Sequence, residues 1–298
     1  MMSEIQSTKQ KYNKLQRLLT DMGSLVLAYS GGVDSTFLLK VAKDALGDDV
    51  LAVTAVSPTY TQEEYERACE MALALGVRHI STQTNELENP DFLKNSPQRC
   101  YYCKKELFRK LRTIADQESL LCVADASNLD DCADYRPGRI AAKEAGIRSP
   151  LLEAGLRKEE IRALSKEMNL PTWDLPAAAC LASRFPYGES LTLEKIKRVE
   201  QAEKFLRDLG FQQVRVRSHD RLARVELDAN IIGEFFKKGL RANVVQKLKD
   251  LGFIYVTLDL EGYRTGSLNE VLPPTDQKEM GVKGIEGNFL DKKSDQHK

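Results

Sequence analysis

The chain has 298 residues, which is long enough for two domains that each bury a hydrophobic core. It contains 44 Lys and Arg against 44 Asp and Glu, so its formal net charge is zero and creates no overall field that would attract nucleic acid. No stretch is apolar and long enough to cross a membrane, and the polar N-terminal segment lacks the apolar run of a signal peptide. We therefore expect a cytoplasmic protein with no membrane partner and no nucleic-acid partner.

Strands and helices are expected to alternate through the first part of the chain. An amphipathic helix over residues 1–22 precedes a series of mainly apolar strands, each followed by a helical pattern. The strands are expected at Leu25–Tyr29, Val50–Val56, His79–Thr84 and Leu120–Ala124. This alternation is typical of a parallel sheet with helices on both faces, and it predicts an α/β domain over residues 1–170. Ligands of such domains bind beyond the carboxyl ends of the strands.

The turn after the first strand, with the sequence SGGVDST, combines glycines and hydroxyls with the start of a helix. Glycines let the backbone approach an anion, and the N-terminus of a helix offers N–H groups and a partial positive charge. The pattern predicts a phosphate cradle for ATP, with a Mg2+ ion near the carboxylate of Asp34. The residues of this cradle are Ser30, Gly31, Gly32, Asp34, Ser35 and Thr36.

This cradle is not a P-loop, which would need a lysine after its second glycine, and the GxGxxG dinucleotide motif is also absent. Residues 30–35 instead resemble the SGGxDS loop of the N-type ATP pyrophosphatases. Those enzymes cleave ATP between the alpha and beta phosphates and transfer AMP to a substrate oxygen. The alternative interpretation is a glycine-rich turn that binds no nucleotide.

Regular periodicity stops between Leu170 and Gly188, in a segment with three prolines. Because long irregular loops inside a compact protein are usually functional or connect domains, residues 171–190 are expected to form a functional linker loop that includes Cys180. Residues 191–270 follow the order helix, strand, strand, helix, strand, which predicts a small α+β domain. Residues 271–298 are polar and are predicted to form a disordered tail.

The cysteines of a chain without a signal peptide are expected to be reduced thiols rather than a disulfide framework. Cys180 is followed four residues later by Arg184, and a cation near a thiol lowers its pKa and favours the nucleophilic thiolate. This context predicts Cys180 as the catalytic residue. Cys100 and Cys103 form a CxxC motif that lacks the further ligands of a structural zinc site. Three interpretations stay open: a redox pair, two unrelated thiols, or ligands of a 4Fe-4S cluster together with Cys180.

Arg215 and Arg217 alternate along a predicted strand, so their side chains share one face. Paired arginines suit bidentate binding of a phosphate or a carboxylate. The alternatives are a solvated basic face and an RNA-binding surface, although no aromatic residues interleave these arginines as RNA binding would favour. Glu203 on the preceding helix would balance their charge or contact the substrate.

Three segments of the chain resemble the LarE family of ATP-dependent sulfur transferases, which build the nickel-pincer nucleotide cofactor of lactate racemase. They are Ser30–Ser35, the sequence CLASRFPYG at Cys180–Gly188, and the sequence VRVR at Val214–Arg217 followed by Leu222–Glu226. The resemblance implies an adenine nucleotide alpha hydrolase-like, Rossmann-like domain and a small domain for substrate binding and oligomerisation, in a homo-oligomer. It also implies a reaction: a carboxylate of pyridinium-3,5-biscarboxylic acid mononucleotide is adenylated with loss of pyrophosphate, and sulfur then replaces AMP.

The resemblance further implies roles for single residues. Cys180 matches the cysteine that gives up its sulfur and becomes dehydroalanine in sacrificial members of the family. Some members instead bind a 4Fe-4S cluster on three cysteines, a pattern that Cys100, Cys103 and Cys180 match, so Cys180 is either a consumed donor or a cluster ligand. The positions around the substrate pocket are matched by Arg184, Glu203, Arg215 and Arg217. Position at the sheet edge makes Asp125 and Asp131 further candidates for Mg2+ ligands.

Three other functions remain alternatives at this point. A tRNA thiolase would use the same sulfur chemistry, but it should have a basic RNA-binding surface or a zinc finger, and the zero net charge argues against this. An amide-forming ligase similar to NAD or GMP synthetase would use ammonia in place of sulfur and would not need Cys180. A regulatory protein would bind ATP without cleaving it.

Overall fold

The structure of the protein, a computed structural model, describes residues 2–132, 137–176, 179–237, 239–264 and 266–272. The predicted disordered tail over residues 271–298 lies outside these ranges except for Val271 and Leu272, so it stays a prediction. Within the described ranges, no helix combines the length and the apolar character that crossing a membrane requires.

A four-stranded parallel sheet with the strand order β3-β2-β1-β4 forms the first unit of the fold. Its strands are β1 (Leu25–Ala28), β2 (Val50–Val56), β3 (Arg78–Gln83) and β4 (Cys122–Ala124). The helices described in this unit are α1 (Met2–Met22), α2 (Val33–Leu46), α3 (Gln62–Ala74), α4 (Pro90–Leu93), α5 (Arg99–Gln117), α6 (Gly138–Glu144), α7 (Pro150–Ala154) and α8 (Lys158–Glu167).

Side chains of β1 alternate between two apolar clusters on opposite faces of this sheet. Leu25 and Leu27 pack with residues of α1, α2 and α8, whereas Val26 packs with residues of α5 and α6. Burial on both faces explains why β1 is a continuous apolar run in the sequence. The predicted parallel sheet with helices on both faces is therefore confirmed.

The segment that follows β3 contains the short helix α4. Pro90 occupies its first turn, where the missing N–H costs nothing, and the side chain of Asn89 accepts a hydrogen bond from the Asp91 N–H at 2.9 Å. The fourth strand begins at Cys122, two residues later than expected, because the Leu120 N–H donates to the Ala115 carbonyl of α5 and the Leu121 N–H to the Ser24 hydroxyl instead of to a neighbouring strand. Local hydrogen bonds thus set where both elements begin.

A second unit contains a three-stranded mixed sheet with the order β5-β6-β7. Its elements are α9 (Leu193–Asp208), β5 (Val214–His219), β6 (Leu222–Leu227), α10 (Leu240–Asp250) and β7 (Tyr255–Leu258). Strand β6 pairs antiparallel with β5 and parallel with β7. Between β6 and α10, Ala229–Phe236 form a 3-10 helix. The predicted small α+β arrangement is confirmed.

The predicted linker loop is packed into the core of the second unit. Leu181–Arg184 form a short 3-10 helix, and Leu181 and Phe185 are buried among side chains of α9 and β5. The Leu181 N–H also donates to the Thr59 carbonyl, which follows β2, at 2.8 Å. The loop therefore contacts both units and lies at the carboxyl end of the parallel sheet.

Gly31 belongs to the predicted phosphate cradle at residues 30–36, hereafter the phosphate loop. Helix α3 packs directly against this loop at Gly31. Its φ of +68° is in the left-handed region, and an added Cβ would lie 2.8 Å from the Cα of Ala68. The side chain of Arg67 donates to the Gly31 carbonyl at 3.3 Å. Any side chain at this position would both strain the backbone and push α3 away.

We expect Gly31→Ala to lower the free energy of unfolding by about 2–4 kcal/mol, because backbone strain adds to a clash with Ala68. The matched control is Gly76→Ala: its φ is +63° but an added Cβ meets nothing within 4 Å, so about 1 kcal/mol is expected. Urea unfolding of both variants measures the difference. Equal losses would contradict the close packing of α3 on the loop.

Candidate active site

The phosphate loop lies at the carboxyl end of β1 and leads into α2. The hydroxyls of Ser30 and Ser35 are 3.0 Å apart, and the Ser35 hydroxyl also donates to the Gly32 carbonyl at 3.3 Å. Thr36 is buried, with its hydroxyl 3.2 Å from that of Tyr29. Gly32 is the N-cap residue of α2 and offers no side chain to the first turn. The N–H groups of this turn are thus available to an anion, as the predicted ATP site requires.

Asp34, in the first turn of α2, forms an ion pair that the sequence did not indicate. Its Oδ2 accepts from the Nζ of Lys158 at 2.6 Å, while its buried Oδ1 has no hydrogen-bond partner among the residues that the structure describes. Burial raises the pKa of the Asp34 carboxyl, and Lys158 opposes this rise. A buried carboxylate oxygen without a partner fits Mg2+, which prefers oxygen ligands, so the predicted role of Asp34 agrees with its surroundings.

Asp125 and Asp131, the other candidates for Mg2+ ligands, are bonded within their own part of the chain. Asp125 accepts hydrogen bonds from the hydroxyls of Ser127 and Ser149 at 2.8 and 2.7 Å. Asp131 accepts one from the Asn128 N–H at 3.0 Å. Their oxygens are therefore less available to a metal than the unpartnered oxygen of Asp34.

Arg184 and Glu203 form a buried, bidentate ion pair. The guanidinium donates from Nε and Nη2 to the two carboxylate oxygens at 2.8 and 2.9 Å, and neither side chain is more than 4 % exposed. The remaining nitrogen, Nη1, donates to the Ala179 carbonyl at 2.7 Å and to the Cys180 carbonyl at 3.3 Å. Although burial alone would raise the pKa of Glu203, Arg184 holds it below its usual value. Arg184 thus fixes the backbone on which Cys180 lies.

Arg215 and Arg217 are buried, so the interpretation as a solvated basic face is wrong. Arg217 forms a bidentate pair with Glu226, with both distances 2.9 Å, and its Nη1 donates to the Ser183 carbonyl at 2.8 Å. The Arg215 guanidinium lies 5.3 Å from the centre of the Tyr263 ring. Burial lowers the pKa of Arg215, and the nearby guanidinium of the Arg184 pair lowers it further. Both side chains belong to a buried network that includes the Cys180 loop.

Cys180 lies near the first turn of α5, where Cys100 and Cys103 are located. Burial raises the pKa of the Cys180 thiol and Cys100 raises it further, while Arg99 and Arg184 oppose the rise. The expected lowering of this pKa is wrong, because the loss of water outweighs the two cations. At neutral pH the half-buried Cys180 is therefore a thiol that must lose its proton when it reacts.

Cys100, Cys103 and Cys180 interact electrostatically with one another, so the fold brings the three predicted thiols into one neighbourhood. Burial raises the pKa of Cys103 well above its usual value. In the part of the chain that the structure describes, no three His, Cys, Asp or Glu side chains are arranged to hold a metal ion. The iron-sulfur interpretation thus remains a prediction that rests on the proximity of the thiols.

Sequence reasoning missed three residues around these thiols: Tyr60, Glu86 and Arg99. Glu86 is 1 % exposed, and its Oε1 accepts hydrogen bonds from Ser57 and, at 2.8 Å, from Thr59. Burial and the neighbouring thiols raise the pKa of Tyr60 well above its usual value. None of the three belongs to a motif. The available signal was the position of Tyr60 and Glu86 just after β2 and β3, at the edge where ligands bind.

Comparison with known proteins gives two matches that cover part of the chain. Residues 8–105 match the family model of NAD synthase. The chain is also 27 % identical to a probable tRNA sulfurtransferase of Methanothermobacter thermautotrophicus, over 54 % of this chain and 44 % of that protein. The family match includes the phosphate loop, and neither match reaches two thirds of the chain.

Two relatives match nearly the whole chain. An uncharacterized protein of Synechocystis sp., slr1717, is 48 % identical over 88 % of this chain and 98 % of its own length. The pyridinium-3,5-bisthiocarboxylic acid mononucleotide synthase of Lactiplantibacillus plantarum is 44 % identical over 85 % of this chain and 92 % of its own length. At this identity and coverage, the chain belongs to the LarE family of pyridinium-3,5-bisthiocarboxylic acid mononucleotide synthases.

Proposed function

We propose that this ATP-dependent sulfurtransferase adenylates a carboxylate of pyridinium-3,5-biscarboxylic acid mononucleotide and replaces the AMP with sulfur to give a thiocarboxylate. The observation that carries the proposal is the half-buried thiol of Cys180, held by Arg184 in a loop that contacts both units. The name of the relative from Lactiplantibacillus plantarum supports this choice of product.

The first unit would activate the carboxylate. The N–H groups at the start of α2 would stabilise the negative charge of the departing pyrophosphate. Asp34 would hold Mg2+, and the bound ion would neutralise the phosphate charges. Lys158, 2.6 Å from Asp34, keeps this carboxylate oriented at the helix end. Adenylation turns a carboxylate oxygen, which is a poor leaving group, into part of AMP, which is a good one.

The loop of the second unit would deliver the sulfur. When Cys180 is the donor, its thiol loses its proton, Sγ forms a bond with the activated carbonyl carbon, and AMP leaves with the electrons of the broken C–O bond. Loss of the Cα proton then breaks the Cβ–Sγ bond, which leaves dehydroalanine in the protein and a thiocarboxylate on the substrate. A 4Fe-4S cluster on Cys100, Cys103 and Cys180 would, when bound, supply a sulfide in place of this sulfur.

The burial of the arginines favours a small nucleotide over tRNA as the sulfur acceptor. Arg215 and Arg217 are 8 % and 7 % exposed, so they can face an enclosed phosphate or carboxylate but not an extended RNA surface. We therefore propose that these two arginines supply positive charge to the substrate pocket, while Arg184 and Glu203 hold the loop. Self-association through the second unit is also proposed, supported by the exposure of Phe236 and Tyr255.

We expect the protein to release pyrophosphate from ATP only when pyridinium-3,5-biscarboxylic acid mononucleotide is present. Cys180→Ala should still release pyrophosphate but form no thiocarboxylate, since activation and sulfur delivery lie in different units. Cys69→Ala, which removes a thiol from α3, is the matched control and should retain both steps. A pyrophosphate assay and mass spectrometry of the product measure the two steps. Thiocarboxylate formation by Cys180→Ala would contradict the assignment.

The sulfur source is tested by anaerobic purification. If the cluster supplies sulfide, the protein contains iron, and Cys100→Ala loses both the iron and multiple turnovers, whereas Cys69→Ala keeps them. Iron analysis and product counting per protein chain provide the readouts. An iron-free protein whose Cys180 becomes dehydroalanine after one turnover, as shown by protein mass, would contradict the cluster and make Cys180 the donor.

Glu203→Gln is expected to lower the free energy of unfolding at pH 7 by about 3–5 kcal/mol, since Arg184 loses its buried partner. Because the pKa of Glu203 is held below its usual 4.5, the stability it contributes is present above pH 4.5 and is lost as the pH falls through the lowered pKa. The difference between wild type and variant should therefore shrink in acid. Urea unfolding across a pH series measures it.

The matched control for this variant is Glu194→Gln, on the same helix α9. Glu194 is 83 % exposed and its ion pair with Arg198 is an exposed i,i+4 pair, so a change of less than about 0.5 kcal/mol is expected. A difference for Glu203→Gln that stayed constant down to the most acidic pH would show that packing, rather than the ion pair, stabilises the loop.

A further inference from the structure

Arg99 is a buried cation for which the described residues supply no carboxylate partner. It is 4 % exposed and begins helix α5, next to Cys100. Its Nη1 donates to the Asn95 Oδ1 at 2.6 Å, and its guanidinium carbon lies 5.0 Å from the centre of the Tyr187 ring. Within the described part of the chain, its buried Nε has no hydrogen-bond partner. A neutral amide and a ring face do not neutralise a full charge, so the burial of this guanidinium is costly without an anion.

The start of α5 adds positive charge beside Arg99, while the buried carboxylate of Glu86 acts on Cys103 of the same helix. The first turn of α5 contains no acidic residue, so the partial positive charge at the N-terminus of this 19-residue helix is not compensated locally. The Arg99 charge also acts to lower the pKa of the Cys180 thiol, and its effect is larger than that of Arg184. A buried cation, an unpartnered N–H donor and a helix N-terminus therefore lie beside the reactive thiol.

The position of Arg99 is fixed by the loop that contains Cys180. Asn95, which accepts from Arg99, is fully buried and has a φ of +50°. Its side-chain nitrogen donates to the carbonyls of Phe185 and Pro186 at 3.3 and 2.8 Å. Because the same amide binds both the guanidinium and this loop, Arg99 is held in place before any ligand arrives, as a recognition residue must be.

We infer that Arg99 binds a carboxylate of the substrate beside Cys180. A planar guanidinium with an unused Nε matches the two oxygens of a carboxylate, and this pairing would satisfy both the buried charge and the buried donor. The inference rests on the proposed function, which places a pyridine dicarboxylate at this thiol. It adds that the carboxylate is recognised by α5 of the first unit, in addition to the arginines of the second.

The test compares pyridinium-3,5-biscarboxylic acid mononucleotide with its 3,5-bisamide, in which neutral amides replace the two carboxylates. The two ligands share the rest of the nucleotide. Their dissociation constants are measured by calorimetry without ATP, for wild type, Arg99→Met, Arg99→Lys and Arg109→Met. We expect Arg99→Met to weaken binding of the dicarboxylate by about 10–100-fold and to leave the bisamide unchanged. Arg109, exposed on the same helix, is the matched control and should have no effect.

Equal weakening of the two ligands by Arg99→Met would overturn the inference, since a purely structural arginine would affect both. If Arg99→Met does not fold, Arg99→Lys decides: it keeps the charge but loses the planar fork, so the preference for the dicarboxylate should fall several-fold. An unchanged preference would overturn the inference. Wild type that prefers the dicarboxylate through Arg99 but releases no pyrophosphate with ATP would refute only the proposed function.

Discussion

The buried ion pair between Arg184 and Glu203 determines where Cys180 lies. Both charges are removed from water, and such a pair is tolerated only when its remaining polar atoms also find partners. Here Arg184 donates to the carbonyls of the Cys180 loop, and Glu203 accepts from the Val216 N–H at 3.0 Å. The pair therefore connects helix α9, strand β5 and the loop in one arrangement. Removal of either charge would leave the other buried and uncompensated, which makes the loop conformation specific.

A second buried pair extends this arrangement toward the rest of the second unit. Arg217 on β5 is neutralised by Glu226 and donates to the Ser183 carbonyl, so the loop is bonded from one strand and from helix α9. Arg215 lies between these pairs and has a lowered pKa because Arg184 is close to it. Glu203 and Glu226 thus each neutralise one arginine, and the two pairs hold the loop from different elements.

Sequence analysis predicted the features that depend on local pattern, and it missed contacts between residues that are far apart in the chain. The apolar run of β1 and the glycines after it predicted the parallel sheet and the phosphate loop, since periodicity and turn chemistry are local. The pairing of Asp34 with Lys158 joins residues 124 positions apart, and no local pattern encodes it. For the same reason the burial of Arg215 was missed: its partners come from another element. Charged residues were expected outside because most are, and only tertiary contacts reverse that expectation.

In the proposed reaction, the raised pKa of Cys180 would make sulfur delivery depend on carboxylate activation. A mostly protonated thiol is a poor nucleophile, and attack on an ordinary carboxylate would not occur. An acyl adenylate is a far stronger electrophile with a good leaving group, so it can react with a thiol that ionises only in the transition state. Arg99 and Arg184, which act to lower the pKa of this thiol, would then stabilise the developing thiolate. In the proposed reaction, sulfur would therefore be committed only after ATP has been used.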